Sequence, residues 1–374
     1  MIRFVLLAIC MALISVFDQP VQAEQLQGQG VEQSVQAAQD TGDTTVYRTG
    51  GYCEALEPGF IDEDFFWRFH RDILPKKYAF VASRPCFVYS QPYDDLVDKR
   101  PKRVMEGGFL WVSLEQDDPI QAGEIIWYQI NPGEYVLAQD LKLYEPSKFA
   151  GRHLDQCDLA PGETFGWIIL GVIPSAAPGQ PEDLSQPFLH KYQLVRIYER
   201  KRIGDLDWYR IGPDKWIEQR RIAKVTIRKP PEGVPEEENW IDVDLYEQTL
   251  VAYQGRRPIF ATIVSSGLPE FGTNKGLFRV WVKRRMGKMS GGQGDDYYFL
   301  EDVPYHIYFD KGIAIHGSYW HDSFGIAQSH GCVNVSPRDA KWLYDWTSPK
   351  GKSSDPERWI RATSRDPGTW VWVH

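Results

Sequence analysis

Cys332 lies in the run Ser329-His330-Gly331-Cys332-Val333-Asn334, and a second histidine, His316, stands sixteen residues before it. A thiol is a weak nucleophile and a thiolate a strong one, so a cysteine serves chemistry when a base or a positive charge adjoins it. His330 is two residues from the cysteine, and His316 closes the apolar run that precedes the segment. Gly331 removes a side chain beside the sulfur and lets a substrate backbone approach closely. These residue types suit acyl transfer.

Two other chemistries use the same residues. His316, His321, His330 and Cys332 are the types that ligate zinc, but no close ligand pair has finger spacing and no His-Glu-x-x-His helix is present, so no metal is expected. A papain-like protease places its cysteine near the mature N-terminus and its histidine far downstream; the order here is the reverse. No cofactor is expected.

The elements that must hold these residues are mostly strands. Trp240-Ile241-Asp242-Val243-Asp244-Leu245 alternates apolar and polar residues, as does Thr249-Leu250-Val251-Ala252-Tyr253, and Gln254-Gly255-Arg256-Arg257 turns the chain into the next strand. Residues 259–264, 305–309 and 313–315 read as further strands, and 370–373 as a closing one. Ser336 caps a helix that starts at Pro337, with Asp339 completing a capping-box pattern and Ala340, Leu343 and Tyr344 on one face. That helix follows the cysteine segment directly and is placed to brace it. The fold class is therefore mainly β: a curved antiparallel β-sandwich with one short helix after the nucleophile.

Upstream there is an internal repeat. Residues 127–136 (WYQINPGEYV) recur as 208–217 (WYRIGPDKWI), 81 residues later and without a gap. Each copy is a strand, a Pro-Gly or Pro-Asp turn and a second strand, and each follows a strand that ends in a proline turn. A duplicated small β unit accounts for this. Over residues 75–230 the pattern resembles bacterial Src-homology-3-like barrels, which implies either wall or partner binding through exposed aromatics or aromatics that form barrel core. Residues 60–74 carry an apolar stripe at helical spacing, started by Asp62-Glu63-Asp64 and stopped by Pro75.

The N-terminal 23 residues read as a secretory signal: Arg3, an apolar run from Phe4 to Phe17, and a small-residue cleavage site at Val21-Gln22-Ala23. A Gln-rich stretch over 24–46 reads as a flexible spacer. The expected organisation is a signal (1–23), the spacer (24–46), a first β module with a short helix (47–146), a second β module (147–228), a Pro-rich linker (229–238) and a C-terminal domain (239–374). The expected location is outside the cytoplasm, in the periplasm or at the cell wall. In that setting Cys53, Cys86 and Cys157 can share one disulfide if Cys332 stays free, and the pair is open. A net charge of −9 argues against a nucleic-acid partner, and none is expected. A monomer is expected.

On its motif, the stretch 313–346, and more loosely 240–374, resembles the L,D-transpeptidase catalytic domain. Its signature is a histidine, a spacer, then Ser/Thr-His-Gly-Cys and a hydrophobic–polar pair, which His316 and 329–334 fill. The resemblance implies Cys332 as nucleophile, and His316 as base, held by a backbone carbonyl such as that of Gly317. It implies the N–H groups of Cys332 and Gly331 or a neighbour as oxyanion donors, and His330 and Ser329 as residues that shape the pocket. Asn334 stands where many members carry arginine, and Tyr298 lies where some carry an oxyanion-side or gating tyrosine. The implied substrates are peptidoglycan stem peptides, with another stem, a wall-anchored protein or water as acyl acceptor. Water as acceptor makes the reaction a carboxypeptidase one, and a wall-binding protein with minor activity is the other alternative. Carbapenems are implied inhibitors. Two departures stand out. Thr273-Asn274-Lys275-Gly276 replaces Thr-Pro-x-Gly, and the basic cluster Arg279, Lys283, Arg284, Arg285 and Lys288 falls where the family carries a lid.

Overall fold

The computed structural model describes residues 40–46, 73–107, 109–293, 297–351 and 355–374. The signal, most of the spacer, Cys53 and all but the last two residues of the helix expected over 60–74 lie outside them.

Two sheets carry the C-terminal region. In the first, Asn239–Asp244, Thr249–Gln254 and Arg257–Ile263 form an antiparallel meander, and Trp370–Val373 runs parallel to the first strand. In the second, Val282–Gly291, Tyr298–Asp310 and Ile313–Gly317 pair in order, and Val333–Val335 adds a short parallel strand. Ile241, Val243, Leu250 and Ala252 of the first sheet pack against Ile307, Phe309, Ile315, Val333 and Val335 of the second. The helix Pro337–Trp346 closes this layer with Ala340, Leu343 and Tyr344. The sandwich is mainly β, with parallel pairs set into the antiparallel order.

The helix begins as its sequence dictates. The Ser336 hydroxyl accepts the Asp339 N–H at 3.2 Å, and Pro337 holds the first helical position. The Asp339 carboxylate takes the Gly151 N–H (3.0 Å) and the Thr262 hydroxyl (2.5 Å), so it ties the helix to the first sheet. At the other end the buried Lys283 ammonium donates to the carbonyls of Tyr344 and Thr347, both at 2.7 Å. Lys283 is thus a helix cap rather than part of a basic lid. Arg279 pairs with Glu238 at 2.9 Å, and Arg284 with Glu357 at 3.0 Å. Of the five basic residues only Arg285 and Lys288 are exposed.

The outer face of the first sheet is covered too. Trp240, Val251, Tyr253, Ala261 and Ile263 pack against Phe165, Trp167, Leu194, Ala223 and Val225. This explains why the alternation read over 240–245 does not leave a wet face. Its polar member Asp242 is buried, and it bonds His374 at 2.7 Å. The expected linker runs along this seam: Val234 is buried in the same cluster, and Arg228 pairs with Asp244 at 2.9 Å.

The repeat is visible as geometry. Ile125–Asn131 with Glu134–Leu137, and Leu206–Gly212 with Lys215–Glu218, are paired hairpins, each followed by a 3₁₀ turn and a further strand. Trp127 and Tyr209 are core residues of their units. The first unit joins the second sheet directly, because Phe109–Trp111 runs parallel to Tyr298–Leu300. The second unit gains the strand Asp40–Val46, paired with Glu199–Ile203, so the end of the expected spacer is ordered. Its Thr44-Thr45-Val46 run is β-branched, which fits a strand better than a coil. Cys157 is disulfide-bonded and Cys86 is a free buried thiol, which leaves Cys86 out of the pair.

Candidate active site

Sheet register brings the candidate residues together. Val282 pairs with Tyr308 and Arg284 with His306; Tyr308 pairs with Ala314; His316 pairs with Asn334. Side chains of paired residues share a sheet face. Arg284, His306, His316 and Asn334 therefore form one rung across that face, and Val282, Tyr308 and Ala314 form the next. Cys332 precedes Val333 by one residue and falls beside Ala314, one diagonal step from His316 across strands about 4.8 Å apart.

His316 is buried, and its Nδ1 lies 3.3 Å from the Gly317 carbonyl. That contact calls for a proton on Nδ1 and leaves Nε2 as the basic nitrogen. Burial pushes its pKa down to about 4, with the Gly317 bond opposing the shift. Cys332 is half-buried, and desolvation pushes its thiol up to about 11 against a backbone bond from Ala314. The S–H reaches the Gly312 carbonyl at 3.8 Å. Both shifts favour the neutral forms, a thiol and an uncharged imidazole.

The loop around the cysteine is held by its own side chains. The Ser329 hydroxyl donates to the Cys332 carbonyl and accepts the Gly331 N–H at 3.0 Å. That N–H is therefore engaged inside the loop, contrary to the oxyanion role that the signature suggests for it. Gly331 adopts φ +118°, a conformation that an L side chain resists. Its carbonyl accepts the Thr273 hydroxyl at 2.8 Å. The departure from Thr-Pro-x-Gly thus keeps the residue that braces the cysteine loop.

Gly317 and Asn334 lie behind the site. Gly317 is buried where an added Cβ would come within 2.9 Å of Pro304 and 3.1 Å of Pro337, so it permits helix packing. Asn334 is buried, with its side-chain amide 3.1 Å from His321 Nε2. His321 Nδ1 accepts the Ser323 N–H at 3.3 Å, so its proton is on Nε2. The Asn334 oxygen must then face Nε2, and turning the amide also satisfies an oxygen otherwise left without a partner.

The open side of the site is aromatic. His330 is exposed between Phe271 (ring centroids 4.5 Å apart) and Tyr298 (5.1 Å). Burial raises the Tyr298 phenol pKa, and the charge of a Cys332 thiolate adds to the shift. Sequence reasoning missed Tyr308, pushed up to about 12 by burial and by Cys332. It also missed His306, whose Nε2 lies 2.7 Å from the Val303 carbonyl and whose Nδ1 lies 2.9 Å from the Tyr308 hydroxyl. Alternation along 305–309 was the available signal, since His306 and Tyr308 are its non-core positions. Among the described residues no group of three His, Cys, Asp or Glu side chains is arranged to hold a metal ion.

Residues 238–373 match the family model described as the YkuD L,D-transpeptidase catalytic domain. This region is a YkuD-type L,D-transpeptidase domain. A Bacillus subtilis protein provisionally named L,D-transpeptidase YciB is 29% identical over 146 residues, 34% of this chain and 73% of that one. Among solved structures, a C-to-S mutant of the Enterococcus faecium L,D-transpeptidase shares 28% identity, over 37% of this chain and 50% of that one, with a TM-score of 0.30. The NMR structure of the catalytic domain of the E. faecium enzyme shares 27% identity, over 37% of this chain and 98% of that domain, with a TM-score of 0.28. The chain thus spans half the length of the first of these Enterococcus chains. The transpeptidase assignment rests on the sequence match and concerns the C-terminal region; the upstream β units fall outside it.

Proposed function

We propose that this protein is an exported peptidoglycan L,D-transpeptidase in which Cys332 is the nucleophile and His316 its base. The observation that carries this reading is the placement of Cys332 beside Ala314, on the sheet face where His316 stands with Nδ1 held by Gly317. His316 Nε2 takes the thiol proton as the sulfur attacks the carbonyl of the third residue of a stem tetrapeptide. In this reading the Cys332 N–H and the Tyr298 hydroxyl receive the oxyanion. The C–N bond then breaks, D-Ala leaves with the proton from His316, and a thioester remains. An amine of another stem, or of a wall-anchored protein, attacks that thioester, gives its proton to His316, and the sulfur departs and recovers it. The thioester keeps most of the energy of the broken peptide bond, so no nucleotide is needed outside the cytoplasm. His330, Phe271 and Tyr298 form the wall along which the stem lies.

Incubation with a tetrapeptide-stem muropeptide tests the reading. Wild-type protein is expected to release D-Ala and to form a cross-linked dimer, and Cys332→Ala to do neither. D-Ala release without dimer would assign water as the acceptor and make the enzyme a carboxypeptidase. Equal behaviour of the two proteins would overturn the role of Cys332.

A further inference from the structure

The segment between the candidate base and the candidate nucleophile, residues 318–332, is fixed at its ends by the strands Ile313–Gly317 and Val333–Val335. Its middle is gripped from outside the transpeptidase region, on two sides. On one side the buried Tyr319 stacks on Tyr78 with centroids 3.7 Å apart, Trp111 meets its edge at 6.0 Å, and its hydroxyl donates to the Glu301 carbonyl at 2.6 Å. Tyr78 and Trp111 belong to the first upstream β unit.

On the other side Asp322 collects donors from the second unit. Lys191 Nζ lies 3.1 Å from its Oδ2, the Tyr192 hydroxyl lies 3.0 Å from Oδ1 and 2.9 Å from the Asp322 carbonyl, and Ser147 donates to Oδ1 as well. The Tyr192 oxygen also accepts the Phe324 N–H at 3.3 Å. Next to it Gly325 has φ +93°, and a Cβ there would come within 2.2 Å of Ile169.

We propose that the second β unit holds the catalytic loop in register, with Tyr192 and Asp322 as positioning residues for Cys332. Stability alone is a poor account of this contact. The Lys191–Asp322 pair is about two-fifths exposed at each side chain, and such pairs add little to folding. Tyr192 is itself held at φ +67°, a left-handed conformation costly for a tyrosine, which persists only where surrounding contacts over-determine it. The grip also reaches the cysteine strand. His321, adjacent to Asp322, bonds Asn334, two residues beyond Cys332 and paired with His316. Acyl transfer is sensitive to displacements of about 1 Å at the reacting atoms, so loosening this contact reduces turnover before it reduces folding.

The inference rests on the transpeptidase reading for its kinetic consequence, and its structural half is read separately. In full-length protein, Tyr192→Phe deletes one hydroxyl and keeps the ring, while Asp322→Asn keeps the Oδ1 acceptor and loses the charge. Both variants are expected to lower kcat for D-Ala release about tenfold, with KM and Tm close to wild type. Asp322→Ala is expected to lose more than Asp322→Asn. Amide exchange in peptides covering 318–332 is expected to speed up in the variants whether or not the protein turns over the muropeptide. Unchanged exchange, or unchanged kcat with faster exchange, would overturn the inference. A wild-type protein that releases no D-Ala while the variants exchange faster would instead count against the functional reading and leave the grip on the loop standing.

Discussion

His316→Ala is expected to slow acylation of Cys332 by about 10²–10⁴-fold, the range for loss of a positioned general base. The pH profile separates this role from a packing defect. Burial lowers the His316 pKa to about 4, so the imidazole is a free base from mildly acidic pH upward. Burial raises the Cys332 thiol to about 11, so the thiol keeps its proton until strongly alkaline pH. The neutral pair therefore persists across the whole physiological range, and wild-type acylation is expected to be flat from about pH 5.5 to 9.5, inside the two titrations. In His316→Ala the only attacking species is the free thiolate, so the residual rate is expected to climb about tenfold per pH unit toward pH 11. Stopped-flow acylation by a chromogenic β-lactam across pH 5–10 measures both profiles. A wild-type rate that itself rises steeply through pH 8–9 would contradict the base role.

The second large effect concerns the boundary at residue 238. A chain restricted to 238–374 is expected not to fold into a soluble domain. Trp240, Val251, Tyr253 and Ile263 are buried by residues of the second β unit, and at about 1.5–3 kcal/mol each their exposure costs about 6–12 kcal/mol. That is comparable with the whole stability of a typical domain, about 5–15 kcal/mol. The same cut strips Tyr298–Leu300 of its pairing with Phe109–Trp111, at the strand that carries Tyr298 to His330. Circular dichroism and thermal unfolding of the fragment beside the full chain decide the matter. A cooperative transition near the full-length Tm would show that the upstream units are dispensable for the fold.

Much of the chemistry was legible in the sequence because it is local. The spacing of His316 and Ser329-His330-Gly331-Cys332, the Ser336 cap and the 81-residue repeat all sit in short stretches. What escaped is non-local. The parallel pairing of Phe109 with Tyr298 joins segments nearly two hundred residues apart and leaves no periodic trace in either. The second cover over the first sheet turned the face that carries the polar residues of 240–245 into core, and with it Asp242 into a buried acid bonded to His374. Arg279, Lys283 and Arg284 looked like one basic patch because they are close in sequence, but strand alternation sends them to different partners: Glu238, the end of the helix, and Glu357. Asn334 belongs to the signature and Gly317 follows its histidine, yet the first is turned to His321 and the second is pressed against the helix. A motif names residues that travel together; it does not separate those that meet a substrate from those that hold the first kind in place.

The central claim is that Cys332 forms the covalent acyl intermediate. Intact-mass measurement after incubation with a carbapenem tests it most directly, because the β-lactam carbonyl traps the nucleophile as a stable adduct. Wild-type protein is expected to gain the mass of one carbapenem, located by digestion to the peptide containing Ser329-His330-Gly331-Cys332, and Cys332→Ala to gain none. No adduct on the wild type, or an equal adduct on Cys332→Ala, would contradict the account.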